Sequence, residues 1–279
     1  MTAKAGNGTE SGVSSVIRTF RILETIAKHG RIGLSDLSRE LRIHKSTVLR
    51  FLSTLCDRGY IRRLADSDSY ALTLKLFELG ATALDQMDVV EQARPVMEWL
   101  AGETNETVHL ATRESDSVVY LHKIDSSHAL RMYSRIGKLA PLHCTGLGKA
   151  LLAWLPEPTV REIYSRLKLT VYTENTISRV GELLEELARI RSRGYSWDHE
   201  EHEPGIRCVA VPIFDRSGEV CAALSISWPS VRDRADTERK RAPLAMEASQ
   251  RITASIGGTL PSPQSASPTN HRHRAKSKA

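Results

Sequence analysis

The chain has 279 residues, 41% of them hydrophobic and 26% charged, with a formal net charge of +6. That length supports two domains with separate cores, and the mild positive charge suits an anionic partner without naming one. No apolar run reaches the roughly 18 residues of a membrane helix. Residues 1–12 lack the hydrophobic core of a signal peptide, and Cys56, Cys144, Cys208 and Cys221 are too scattered for a CxxC site or a disulfide framework. A cytoplasmic protein with reduced thiols is therefore expected.

The charge is uneven. Between Met1 and Leu72, twelve Lys and Arg face seven Asp and Glu, so most of the positive excess lies in the first quarter. After a small, polar leader (residues 1–12, read as disordered), Val16, Phe20, Leu23 and Ala27 mark an amphipathic helix with Ser14 or Ser15 as N-cap and Gly30 as its end. Leu34, Leu37 and Leu41 then recur at helical spacing, and so do Val48, Phe51, Leu52 and Leu55. Only Arg42, Ile43 and His44 separate the two patterns, enough for the turn of a helix-turn-helix. On the second helix, Lys45, Ser46, Thr47, Arg50 and Thr54 face away from the leucines and none is acidic. Such a face can enter a major groove, although a plain helical hairpin with solvated cations shares the pattern. Two short strands at Gly59–Arg63 and Ser69–Leu72 would complete a winged helix-turn-helix over residues 13–73. There Arg62 and Arg63 could meet flanking phosphates, as could Arg18 on the first helix.

Helical periodicity continues over residues 74–93, read as a linker helix, and is interrupted near Pro95. A second domain, residues 94–260, alternates strands and helices. Strands are expected at Thr107–Ala111, Ser117–His122, Leu130–Ser134, Ile206–Phe214 and Val220–Trp228. Helices are expected from Thr145 to about Leu155, over Ser178–Arg193, and over Thr237–Ile256. Hairpin-like returns point to an α+β domain on a mainly antiparallel sheet. The Pro/Ser-rich, then basic tail, residues 261–279, is read as disordered.

Polar groups suggest a pocket in this second domain. Gly146 and Gly148 open a helix, where glycine serves either close approach of a ligand or tight packing. The stretch lacks the residues of a Walker loop. Asp198–Glu203 is acidic and precedes the strand carrying Cys208. Ser225 and Ser227 share one face of an apolar strand and need partners, from a ligand or from neighbouring backbone. His199 and His202, with Cys208, could in principle hold a metal, but solvation of an exposed loop is the simpler reading. A thiol enzyme using Cys208 or Cys144 lacks any local signature of a base and an oxyanion hole. Neither a metal nor a resident cofactor is expected.

Together, SSVIRTFRILETI, LSDLSREL with HKSTVLRFLSTL, SYALTLKLFELG, PLHCTGLGKALLAW, GIRCVAVPIFDRSGEV and ALSISWP resemble the IclR family of bacterial transcriptional regulators. The resemblance runs from about Val13 to Ser230. The wording of YLHKIDS and LRMYSRIG is most similar to its repressors of pectin and 2-keto-3-deoxygluconate catabolism. It implies an N-terminal winged helix-turn-helix and a C-terminal effector-binding domain of GAF/PAS-like fold. It further implies homodimers or homotetramers on palindromic double-stranded operator DNA and no enzymatic activity, with a small organic acid as effector: a sugar acid such as 2-keto-3-deoxygluconate that releases a repressor or, as the alternative, an aromatic or short-chain acid acting on an activator or repressor. Carried onto this chain, the family's effector contacts fall on Gly146, Leu147, Asp198, Cys208, Ser225 and Ser227. Arg207 and His143 are further polar candidates nearby.

Overall fold

A computed structural model describes residues 13–65, 67–85, 88–129, 134–234 and 236–261. The chain divides into two compact units between residues 86 and 87. The expected leader, most of the tail and most of the strand at Leu130–Ser134 lie outside the described residues.

The first unit packs three helices, α1 (Ser14–His29), α2 (Leu34–Leu41) and α3 (Lys45–Asp57), against a small sheet. That sheet has the order β1-β3-β2, with β1 (Ile32–Gly33), β2 (Ile61–Arg63) and β3 (Ser69–Leu72). Ile22, Ile26, Leu37, Val48 and Leu52 are fully buried and form its centre. The turn between α2 and α3 is tight because Arg42 takes a left-handed conformation (φ 56°) and Ser38 Oγ donates to the Ile43 carbonyl at 2.6 Å.

Two details differ from the sequence reading. No serine caps α1; Val13 precedes it without a side-chain bond. The stripe expected to face the core also turns outward at its start, with Val16 50% and Phe20 59% exposed, while Ile22, Thr25 and Ile26 face inward. The helix carries two apolar faces, and spacing alone does not say which one the core takes. Helix α4 (Lys75–Asp85) follows, anchored by Lys75 Nζ donating to the Arg58 carbonyl at 2.8 Å.

The second unit is built on a six-stranded antiparallel sheet of order β6-β5-β4-β9-β8-β7. Its strands are β4 (Thr107–Glu114), β5 (Ser117–Ile124), β6 (Leu139–Pro141), β7 (Ser196–His199), β8 (Ile206–Phe214) and β9 (Val220–Pro229). Helices α5 (Asp88–Thr104) and α9 (Thr237–Ser255) pack together on the sheet. On the face carrying Ala111, Ala210 and Ala223 lie α6 (Gly146–Leu152), α7 (Glu157–Arg166) and α8 (Val180–Arg193). The three alanines leave room for α6, whose seven residues are all buried.

The expected break near Pro95 is absent. Helix α5 runs through that residue, and burial of Ala93, Val96, Met97 and Leu100 offsets the hydrogen bond that proline removes. Strand β6 occupies a stretch expected to be loop, and α6 ends at Leu152 rather than continuing to Leu155. Helix α7 was not anticipated. Pro156 and Pro158 read as breakers in sequence, but they sit at its N-cap and within its first turn, positions where proline is well tolerated.

Candidate effector pocket and nucleic-acid interface

Antiparallel register assembles the pocket floor. Asp198 on β7 lies opposite Cys208 on β8, and Cys208 lies opposite Ser227 on β9. The adjacent row runs Ser196, Ala210, Ser225 and His109 across β7, β8, β9 and β4. Because alternate residues share a face, both rows point the same way. Helix α6 closes over them with its first turn. A Cβ on Gly146 would stand 2.5 Å from Cys208 Sγ, and one on Gly148 only 2.3 Å from the Leu142 carbonyl oxygen. Close packing therefore requires both glycines.

Gly146, Leu147, Asp198, Cys208, Ser225 and Ser227 all line one cavity of about 50 Å³. His143 and Arg207 do not line it. His143 Nε2 pairs with the Thr170 carbonyl at 3.0 Å, and Arg207 forms ion pairs with Glu200 and Asp233. Thr145, His202 and Glu203, in stretches the sequence singled out, also line it; His109, Tyr120, Ser134, Lys138 and Ile206 complete the wall, and sequence reasoning missed them. The available signal for His109 was only its position on the face of β4 shared with Thr107 and Ala111, where a lone histidine reads as core.

Beneath the cavity lies an ionic cluster. Lys149, on the apolar side of α6, is 1% exposed; its Nζ donates to the Trp197 carbonyl at 2.7 Å and pairs with Glu201. The expected solvated acidic loop is thus partly interior. Asp198 and Glu201 are each 6% exposed, because β7 joins the sheet edge and carries them under α6. Asp198 Oδ1 accepts from the Glu201 amide at 2.9 Å, and its carboxyl also meets the Gly146 amide. Burial pushes the Asp198 carboxyl up to about 7, although Lys149 opposes the shift. The Gly148 amide is taken by Thr145 Oγ1 at 3.0 Å, so two of the amides at the start of α6 already have partners.

The two loop histidines part company. Trp197 Nε1 donates to His199 Nδ1 at 2.5 Å, while His202 lines the cavity with its ring packed on Tyr172 at 4.9 Å between centroids. Among the described residues, no three His, Cys, Asp or Glu side chains converge as metal ligands. Burial pushes the Cys144 thiol up to about 12 and holds Cys208 well above its ordinary value. Neither offers a thiolate near neutral pH, the form a nucleophile needs.

In the first unit, α3 buries Val48, Leu52 and Leu55, leaving Lys45, Ser46, Arg50 and Thr54 exposed and Thr47 half-buried. Its first turn contains no acid. Thr54 Oγ1 donates to its own helix, at the Arg50 carbonyl (3.0 Å). Arg18 and Arg62 are exposed on α1 and β2, and Arg63 is paired with Asp68 across the wing. The arrangement presents a basic helix ahead of a basic ribbon, as a groove-reading winged helix does.

Two family models cover most of the chain: the IclR helix-turn-helix domain over residues 15–65 and the C-terminal domain of the bacterial transcriptional regulator IclR over residues 81–254. The chain belongs to the IclR family. It is a DNA-binding transcriptional regulator with an N-terminal helix-turn-helix and a C-terminal α+β domain. It is 45% identical over 245 residues to the HTH-type transcriptional regulator KdgR of Dickeya chrysanthemi, covering 88% of this chain and 80% of that protein. KdgR of Escherichia coli K12 is 44% identical, with 88% and 93% covered. This level of identity over most of the chain supports membership of the KdgR-like subgroup. The crystal structure of the Thermotoga maritima IclR superposes with a TM-score of 0.74 at 31% identity, covering 87% of this chain and 98% of that one. Among the described residues no helix is long and apolar enough to cross a membrane.

Proposed function

We propose that this IclR-family regulator is a cytoplasmic repressor released from its operator by a small sugar acid such as 2-keto-3-deoxygluconate. The observation that carries the reading is that Gly146, Leu147, Asp198, Cys208, Ser225 and Ser227 line one common cavity in a chain so similar to KdgR. Buried hydroxyls and a carboxyl whose proton affinity is raised toward neutral pH suit an oxygen-rich anion better than an apolar ligand. The acid group lies at the Gly146–Leu147 end, where Asp198 donates to it in its protonated form. The cavity holds only a few waters' volume, and a six-carbon acid needs more. Binding therefore requires wall side chains to move, and a ligand that favours one arrangement shifts the population that binds DNA. The protein acts by binding rather than by turnover, in keeping with thiols that stay neutral.

On DNA, a homodimer, or a homotetramer built from two, sets two α3 helices in successive major grooves of a palindromic operator. Lys45, Ser46, Thr47, Arg50 and Thr54 face the groove, and Arg18, Arg62 and Arg63 face flanking phosphates. Exposed Val16, Phe20, Phe77 and Leu79 on α1 and α4 supply apolar surface for pairing. The test is titration of the promoter region beside its own gene at controlled salt, with and without 2-keto-3-deoxygluconate. Sequence-specific binding weakened by the ligand is expected. Specific binding indifferent to the ligand would discard the effector, and binding without sequence preference would discard the operator.

A further inference from the structure

The polar groups at the His109 end of the cavity are incompletely matched to one another. His109 is 1% exposed, with its ring edge-on to Tyr120 at 5.1 Å between centroids. Its Nε2 is fixed by Ser134 Oγ at 2.7 Å. On the opposite side of the ring, Nδ1 has, among the described residues, two long contacts, 3.5 Å to Ser225 Oγ and 3.4 Å to Ser227 Oγ. The two serines are 3.4 Å apart. Hydroxyl bonds ordinarily close to 2.7–2.8 Å, so one ring nitrogen and two buried hydroxyls face the cavity with hydrogen-bonding capacity largely unused. The protein's own side chains have a loose triangle where a bound oxygen group would make short bonds.

Charge decides which oxygen group that is. Burial, with the Lys123 ammonium beside it, drives the His109 imidazole down to about 3, so it stays neutral at physiological pH. Asp125 and Lys138 also act on the ring, in opposite directions. Lys123 is itself engaged by Asp125 at 2.7 Å and by the Ser134 carbonyl at 3.1 Å. A neutral ring with one donor and one acceptor is poorly suited to anchor a carboxylate and well suited to a hydroxyl, which both gives and takes a hydrogen bond.

We infer that His109, held by Ser134 and facing Ser225 and Ser227, reads the hydroxyl groups of the effector and selects polyhydroxylated acids over short, unhydroxylated ones. The inference rests on the sugar-acid reading above and adds the residue that supplies its discrimination. A site built to hydrogen-bond a substrate hydroxyl rejects the analogue without it, because its buried polar groups then stay unpaired.

The test uses the full-length protein and two probes, 2-keto-3-deoxygluconate and pyruvate, a three-carbon keto acid without hydroxyls, with Kd measured by calorimetry. His109→Phe is expected to weaken the sugar acid by about tenfold or more and pyruvate by less than about threefold, with His109→Gln intermediate. Equal losses for both probes, or an unchanged ratio of Kd values, would overturn the role of His109 while leaving the effector reading intact. A wild-type protein that binds pyruvate as tightly as the sugar acid, or binds neither, would remove the effector reading and this inference together. Circular dichroism melts check folding. Should His109→Phe fail to fold, Ser134→Ala, which frees the ring from its anchor, is expected to show the same selective loss, and its absence would overturn the inference.

Discussion

The Lys149–Glu201 pair is the most consequential contact between single residues in the second unit. Both side chains are buried, and Glu201 Oε2 has no hydrogen-bond partner among the described residues. Removing one partner strands the other charge in the interior, which costs about 3–5 kcal/mol, whereas apolar replacement of both can be nearly neutral. Glu201→Gln is therefore expected to destabilise the domain strongly in denaturant titration, and Lys149→Met/Glu201→Leu less than either single change. Asp198 beside them gives a pH signature of definite sign. Its folded value of about 7 exceeds the ordinary carboxyl value of 3.8, so the folded state holds the proton more tightly than the unfolded chain. Its contribution to stability is complete below about pH 4 and is lost as pH rises through about 7. The Tm of Asp198→Asn relative to wild type should thus climb between pH 5 and pH 8. A flat difference across that range would mean that Asp198 ionises normally. Such a buried acid could not be read from sequence, where Asp198–Glu203 has the composition of a solvated turn.

At the scale of elements, α6 and α3 show opposite uses of a helix. Helix α6 is buried on all sides and depends on its glycines for closeness. Gly148→Ala places a methyl group against backbone that cannot move aside, and a loss of at least about 1–3 kcal/mol is expected. Gly146→Ala meets the Cys208 sulfur instead, so Cys208→Ala should recover part of the damage and the double mutant should be less than additive. Helix α3 is half-exposed and legible from its sequence, because its leucine spacing and its acid-free first turn both survive in the structure. Arg50→Ala is expected to cost about 1–3 kcal/mol of binding and to relax preference at one operator position if Arg50 reads a base. Arg62→Ala, at a flanking phosphate, should lower affinity evenly across sequences and reduce the salt slope by about one. Gel-shift titrations on operator variants at several salt concentrations would distinguish these patterns.

At the scale of the whole molecule, the two units have separate cores, and each should unfold as its own cooperative transition. A fragment of residues 88–261 is expected to melt cooperatively without the first unit; a fragment lacking a sigmoidal melt would contradict independent folding. The sequence by itself determined the division of labour. Amphipathic spacing, the concentration of cations before Leu72 and the alternating strands are local properties, and hydrophobic period specifies element type without reference to the rest of the chain. Its motifs also placed six candidate effector contacts, all of which line one cavity. Only the tertiary structure decided what surrounds them. His109, Lys149 and Glu201 are separated from their partners by 25 to 118 positions in the case of His109 and by 52 for the ion pair. Strand register and the approach of α6 to the sheet bring them together, and these arise from packing between distant segments. Burial then changes their chemistry, keeping a histidine neutral and raising a carboxyl toward neutral pH where composition alone would have left both in water.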